Sequence, residues 1–180
     1  KGIKLCNLLR KFGIDITHKL FPEVYAPFGG NLNMIVCGGS MLNPVTIKGL
    51  NDLGIRIENG YGITECGPLI SMNGDTLKEH LSVGKCCPDL QVKIANADES
   101  GVGELCVKGP GVMTCYYNDE KATNEVLKDG WLYTGDMAMV DPDGFIFLVD
   151  RKKDVIVSGG ENIYPVQIED FMRKYWKIKD

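Results

Sequence analysis

Apolar residues recur at three-to-four spacing near the start of the chain: Leu5, Leu8, Leu9 and Phe12 fall on one side, with Lys4, Arg10 and Lys11 outside it. That period predicts an amphipathic helix. Residues 33–37 follow as a short buried strand, stopped by Gly38-Gly39. Asn43-Pro44 reads as a helix start, with asparagine as cap and proline in the first turn, and the helix runs to Leu53. Residues 55–58 form a second strand, stopped by Asn59-Gly60. Strand, glycine turn, helix, strand is the pattern of a parallel α/β unit.

Beyond about residue 80 the period shortens. Residues 91–94, 104–108, 133–140 and 145–149 alternate like half-buried strands, and Asp141-Pro-Asp-Gly144 marks a tight turn. A helix over 119–127 interrupts them. Residues 154–157 make a last strand, and a helix follows from Pro165 to about Trp176. The expected fold is an α/β fragment of parallel strands with helices, a small antiparallel β-barrel, and the start of an α+β lid domain. The expected boundaries are 1–79, 80–150 and 151–180.

Composition narrows the classes. The 180 residues are 44% hydrophobic and 24% charged, which fits a folded chain rather than a disordered one. A net charge of −4 argues against general binding to nucleic acid. The apolar runs are far short of the roughly 20 residues of a membrane helix, and no signal-like segment opens the chain. Seven cysteines at 6, 37, 66, 86, 87, 106 and 115 include no CxxC pair, and His18 and His80 stand alone as surface or helix-end residues. This favours reduced core thiols in a cytoplasmic protein over a zinc site. The vicinal pair Cys86-Cys87 could form a strained disulfide, but nothing requires it.

Glycine is in excess, 22 of 180 residues, where about 7% is usual. Four segments concentrate it. Cys37-Gly-Gly-Ser40 and Asn59-Gly-Tyr-Gly-Ile-Thr-Glu-Cys-Gly-Pro68 each follow a parallel strand, where open α/β sheets bind ligands. Two readings fit the second: glycine turns around a buried tyrosine, or a nucleotide cradle with an aromatic face, a hydroxyl and a carboxylate for Mg²⁺. Asp129-Gly-Trp-Leu-Tyr-Thr-Gly-Asp136 places a carboxylate that suits a pair of hydroxyls. Asp150-Arg-Lys-Lys-Asp-Val-Ile-Val-Ser-Gly-Gly-Glu-Asn162 combines a charge run with a glycine hairpin. Its two lysines read as solvated; Arg151 does not, because the β-branched run after it is not surface-like.

In this order the motifs resemble the adenylate-forming superfamily of acyl-CoA synthetases, most of all its AMP-forming long-chain fatty-acid–CoA ligases. Tyr61-Gly-Ile-Thr-Glu65, Trp131 to Asp136, Arg151-Lys-Lys153 and Ser158 to Asn162 carry the likeness. The resemblance implies a fold that activates a carboxylate with Mg-ATP as an acyl-adenylate and passes the acyl group to coenzyme A. It implies that Gly38, Gly39, Gly60, Tyr61 and Gly62 bind ATP or AMP, with Tyr61 on the adenine. Thr64 would bond phosphate, Glu65 would hold Mg²⁺, and Asp136 and Arg151 would take the ribose or phosphate. Lys153 would be the hinge of the lid, and Ser158, Gly159, Gly160 and Glu161 the hairpin that shapes the coenzyme A tunnel.

There are departures. No serine/threonine/glycine-rich phosphate loop ending in proline-lysine-glycine occurs in these residues, nor does the lysine expected near the end of the lid. Cys115 stands where relatives usually carry glycine. The chain therefore reads as an excised piece, inactive alone, weak for AMP, and with uncovered apolar surface in residues 1–78 that invites self-association. Two alternatives stay open: part of a peptide-synthetase adenylation domain, and a non-catalytic binding module. The first lacks an aspartate for the amino group near residues 37–40 or 61–69; the second has no need of Tyr61, Glu65, Asp136 and Arg151. Cys66, beside Glu65, could line the acyl pocket, and Lys174, Lys177 and Lys179 around Trp176 read as a solvated last helix.

Overall fold

A computed structural model describes residues 2–39, 42–73, 81–173 and 175, without the side chains of Asp170 and Arg173. Ser40, His80, the boundary expected at residue 79, and Lys174, Trp176, Lys177 and Lys179 lie outside the described residues.

The parallel unit forms as the pattern predicts. Strand β1 (Met34–Cys37) pairs in parallel with β2 (Arg56–Gly62), from Met34↔Arg56 to Cys37↔Asn59. Between them runs helix α4 (Pro44–Asp52), after α1 (Gly2–Arg10), α2 (Thr17–Leu20) and α3 (Pro22–Tyr25). The Asn43 side chain accepts the Val45 N–H at 2.8 Å, so the cap is made and Pro44 takes the first turn, where no N–H is needed. Ile47 of α4 is fully buried.

Helix α1 does not use the face its period suggests. Leu5, Leu8 and Phe12 are exposed, Leu9 is half-buried, and Cys6 is the buried position. Polar anchoring decides this. Arg10 donates to the carbonyls of Asn51 and Asp52 at the end of α4, and Asn7 donates to the Asp52 carboxylate. Strand β1 is likewise less buried than expected: it is the outer strand of its sheet, and Met34 and Val36 are exposed.

Strand β2 also runs further than expected, through Asn59-Gly60 to Gly62, and turns antiparallel to β3 (Leu69–Met72) with Gly60↔Met72 and Tyr61↔Ser71. Strand β4 (Lys85–Cys86) completes the order β1-β2-β3-β4. Gly62 is needed for close approach rather than for a turn: a Cβ there would lie 1.9 Å from the Pro68 carbonyl oxygen.

The second half is a curled antiparallel half-barrel rather than the expected barrel. Its strands are β5 (Gln91–Ala95), β6 (Gly103–Lys108), β7 (Leu127–Lys128), β8 (Trp131–Val140) and β9 (Ile146–Arg151). Along one edge β8 pairs with β6; β7 pairs with it at Trp131 and Leu132, and β9 at 136–140. Residues 133–135 lie between these two partners. Helix α5 (Glu120–Val126) precedes β7, its Asp119 cap accepting the Ala122 N–H. Tyr61, Cys66, Ile70 and Val83 from the first half share one core with Leu105, Val107, Leu132, Ala138 and Ile146. Backbone bonds between Val83 and Ile146 and between Ile146 and Gly84, each 2.9 Å, join the halves.

After Arg151 the chain makes a short 3-10 turn, then the hairpin of β10 (Ile156–Ser158) and β11 (Glu161–Ile163), then α6 (Pro165–Arg173). Asp150 accepts the Val166 N–H at 3.1 Å and so caps α6 against β9. The β-branched run expected inside is outside, with Ile156 and Val157 both exposed. A three-residue strand paired only with its hairpin partner has little apolar surface to pack against. No helix among the described residues is long and apolar enough to cross a membrane.

Two substitutions separate local from core contributions. Asn43→Ala should lower unfolding free energy by about 1 kcal/mol, and Leu105→Ala, fully buried, by about 2–5 kcal/mol. Urea midpoints of both variants against the parent chain check the ratio.

Candidate functional site

Three of the residues singled out from sequence are directly bonded. The Tyr61 hydroxyl donates to Asp136 Oδ2 at 2.6 Å, and Arg151 Nη1 lies 2.9 Å from Asp136 Oδ1. Strand β2 delivers Tyr61, β8 delivers Asp136, and the Asp136↔Arg151 pairing of β8 with β9 delivers the guanidinium. Asp136 and Tyr61 are both buried, whereas Arg151 is 56% exposed at its side chain. Burial, then the Asp136 bond, push the Tyr61 phenol far above its ordinary range, so it stays a donor. Burial also raises the Asp136 carboxyl, against the lowering effects of Tyr61 and Arg151. Both carboxylate oxygens are engaged, each with a further lone pair to offer.

Beside this group lies a cleft of about 430 Å³, walled by Gly62, Thr64, Glu65, Tyr116, Thr134 and Arg151 among others. It sits at the gap in the outer edge of β8. The Glu65 carboxylate is half-buried and accepts the Tyr116 hydroxyl at 2.8 Å, while its backbone carbonyl accepts the Met113 N–H. That bond is the main cause of the raised Tyr116 phenol. Thr64 is exposed. Thus Glu65 and Arg151 face one hollow, and Tyr61 and Asp136 stand immediately behind Arg151.

Gly38 and Gly39 do not wall this cleft; they follow β1, where a Cβ on Gly38 would meet the Gly60 carbonyl at 3.4 Å. Next to them, Asn59 Oδ1 is buried without a hydrogen-bond partner. An orphaned acceptor of this kind costs about 1–3 kcal/mol. Lys152, read from sequence as solvated, is 58% exposed at its side chain and also pairs with buried Glu104 at 2.6 Å. Lys153 and Ser158, Gly159, Gly160 and Glu161 are exposed, the last four on the β10–β11 hairpin. Cys66 is buried, and burial raises its thiol and takes those of Cys86 and Cys106 up to about 11, so none is an activated nucleophile.

Sequence reasoning missed Tyr116, Asn59 and Glu104. Asn59 stood in a quoted motif but was taken for a turn residue. Tyr116 had no local signal, because its partner is 51 residues away.

A family model described as AMP-binding enzyme matches residues 5–117. The chain belongs to the AMP-binding enzyme family. Among the family's curated members, a long-chain-fatty-acid–CoA ligase of Salmonella typhimurium is 42% identical over 151 residues, covering 79% of this chain and 27% of the relative. A 2-succinylbenzoate–CoA ligase of Bacillus cereus is 34% identical over 181 residues, covering 96% of this chain and 36% of the relative. The solved o-succinylbenzoate coenzyme A synthetase of Bacillus subtilis in complex with ATP and magnesium ion superposes with a TM-score of 0.73 at 29% identity, covering 88% of this chain and 36% of the other. The chain thus spans about a quarter to a third of the length of such relatives.

The raised Asp136 carboxyl sets a pH dependence. A carboxyl raised in the folded state contributes stability below its unfolded value, and that contribution is lost as pH climbs through the folded value. Stability of the parent relative to Asp136→Asn should therefore fall as pH rises from about 4, the ordinary aspartate value, past the raised one. Tyr61→Phe strips a donor from the buried carboxylate and should cost about 1–3 kcal/mol near neutrality. Urea unfolding of the three proteins across that pH range tests both signs.

Proposed function

We propose that this chain supplies the nucleotide-facing part of an ATP-dependent, AMP-forming acid–CoA ligase acting on a long-chain fatty acid. The observation that carries the reading is that Glu65 and Arg151 wall one cleft, with the bonded Tyr61–Asp136 pair directly behind Arg151. The cleft volume lies within the roughly 300–1,000 Å³ usual for small-molecule sites. The residues also fit the ligand chemically. Asn59 Oδ1 lacks a donor, and the exocyclic amine of adenine is one. Thr64 offers phosphate a hydroxyl, and Arg151 offers it a cation. Asp136 keeps lone pairs for ribose hydroxyls, and the open space around Gly39 would leave room for the base.

In this reading a carboxylate oxygen of the acid attacks the α-phosphorus of ATP, releasing pyrophosphate. The thiol of coenzyme A then attacks the acyl carbon and AMP leaves. Both steps build charge on phosphate oxygens, which Arg151 and Thr64 would offset. Mg²⁺, when bound, neutralises part of the triphosphate charge. Glu65 would hold it, steadied by Tyr116 through Oε1.

Residues 1–79, 80–150 and 151–180 would be the end of the large domain, the sheet subdomain and the start of the lid. Lys153 would act as hinge, and Ser158–Glu161 would border the coenzyme A thiol's path. Seven free cysteines suit a cytoplasmic setting. The fatty acid is preferred because that relative is the more similar; 2-succinylbenzoate is the second reading, favoured by the 96% coverage of this chain.

Carboxylate-dependent ATP–pyrophosphate exchange by the full-length protein, run on fatty acids and on 2-succinylbenzoate, tests the assignment. Exchange with a C12–C18 acid, reduced at least tenfold by Asp136→Ala, is expected; no exchange with any carboxylate would overturn it. The 180-residue chain alone should give none, because the phosphate loop and lid lysine are not in it. Its exposed Leu5, Leu8, Phe12, Met34 and Val36 should drive self-association. Sedimentation velocity should show a weight-average mass rising with concentration, and lower mass for Leu8→Ser/Phe12→Ser.

A further inference from the structure

Strands β6 and β8 fall out of step where they pass the acid of the site. Glu104 faces Met137 and Cys106 faces Tyr133, so Leu105 alone stands opposite Thr134, Gly135 and Asp136. A bulge of this kind bends its strand and re-aims a side chain, and here the side chain is that of Asp136. Gly135 holds the middle of the bulge at a φ of 74°, in the left-handed region that other residues enter only with strain.

Side chains bind the backbone of this bulge. The Thr134 hydroxyl donates to the Leu105 carbonyl at 2.8 Å and accepts the Asp136 N–H at 3.1 Å. Glu104 Oε1 accepts the Gly135 N–H at 3.2 Å, and its Oε2 takes Lys152 Nζ at 2.6 Å. Lys152 follows Arg151, whose guanidinium lies 2.9 Å from Asp136 Oδ1. These contacts close a ring: from Glu104 to Gly135, along the chain to Asp136, across to Arg151, along the chain to Lys152, and back. Glu104 is buried and is not among the residues that wall the cleft. Its charge adds to the rise that burial imposes on the Asp136 carboxyl. A buried acid that repels a neighbouring acid is costly, and for packing alone an apolar residue of similar size would serve as well or better.

We propose that Glu104 is a positioning residue, which holds the bulge so that the Asp136 carboxylate is aimed at a ribose diol. It touches no ligand and acts through Asp136. Thr134 fastens the bulge to β6 at one end, Glu104 fastens its middle, and Lys152 keeps the Glu104 carboxylate from turning away from Gly135. A glycine peptide has few steric restraints of its own. Without Glu104 the Gly135 amide is released, and Asp136, the next residue, loses its fixed direction. For the identity of the ligand the inference rests on the adenylation reading.

ATP–pyrophosphate exchange by the full-length protein, run with ATP and with 2′,3′-dideoxy-ATP, tests it. The parent should prefer ATP by about tenfold or more in kcat/KM, the worth of one hydrogen bond to a carboxylate. Glu104→Ala should bring that preference below about threefold, chiefly by raising KM for ATP while the dideoxy nucleotide is little affected. Glu104→Gln keeps an acceptor for the Gly135 N–H and should hold the preference within about twofold of the parent. Glu104→Leu, closer to glutamate in volume, should lose the preference as the alanine variant does, and it carries the comparison if circular dichroism shows that variant misfolded. A merely structural role would lower kcat for both nucleotides alike and leave their ratio untouched. A parental ratio in a folded alanine or leucine variant overturns the proposal alone, as does a parent that uses the two nucleotides equally well. No exchange by the parent with either nucleotide overturns it together with the adenylation reading.

Discussion

A carboxylate taken out of water has to be matched by donors, and Asp136 sets much of the geometry described above because it is one. Burying such a charge costs several kcal/mol unless its partners are held in place. Its partners come from two different parts of the chain: Tyr61 from β2 and Arg151 from the end of β9. One anion thus ties the parallel unit to the half-barrel and fixes where the cleft opens. It also explains why Tyr61 sits in the common core with its hydroxyl directed at a charge, an arrangement that would be costly for either residue alone.

Glu104 repeats the device one strand away. It accepts the Gly135 N–H and pairs with Lys152, so the consecutive cations Arg151 and Lys152 each reach a buried acid. The asymmetry is physically informative. The acids are buried, while the cation side chains are 56% and 58% exposed. Exposed cations can exchange a partner for water or an anionic ligand at small cost, whereas the acids cannot move without exposing a charge to the core or losing their donors. The segment after Lys152 therefore leaves the body of the protein from a clamp that is fixed on its inner side and adaptable on its outer side.

What could be read in advance follows the range of the interaction responsible. The β1–α4–β2 unit was legible because its signals are local: a cap at Asn43, a proline beside it, and apolar runs bounded by glycine. The end of β2 was not. Gly60 and Gly62 look like turn residues along the chain, and only the approach of β3 makes them strand positions. The face of α1 was misjudged because Leu5, Leu8 and Phe12 set its period, while Asn7 and Arg10 set its docking. Motif order singled out Tyr61, Glu65, Asp136 and Arg151, of which Glu65 and Arg151 wall the cleft and Tyr61 and Asp136 lie behind Arg151. Tyr116, Asn59 and Glu104 were missed, since each is defined by a partner or a vacancy that spacing does not encode.

The amino-acid sequence by itself determined which elements form, because caps, turns and hydrophobic period act within a few residues. It also determined which chemical groups are available, since motif identity needs no coordinates. Tertiary structure alone decided which acids are buried, which cations answer them, and that the second sheet curls without the closure expected of it. Those outcomes depend on desolvation and on register between strands far apart in the chain, and neither quantity exists until the chain has folded.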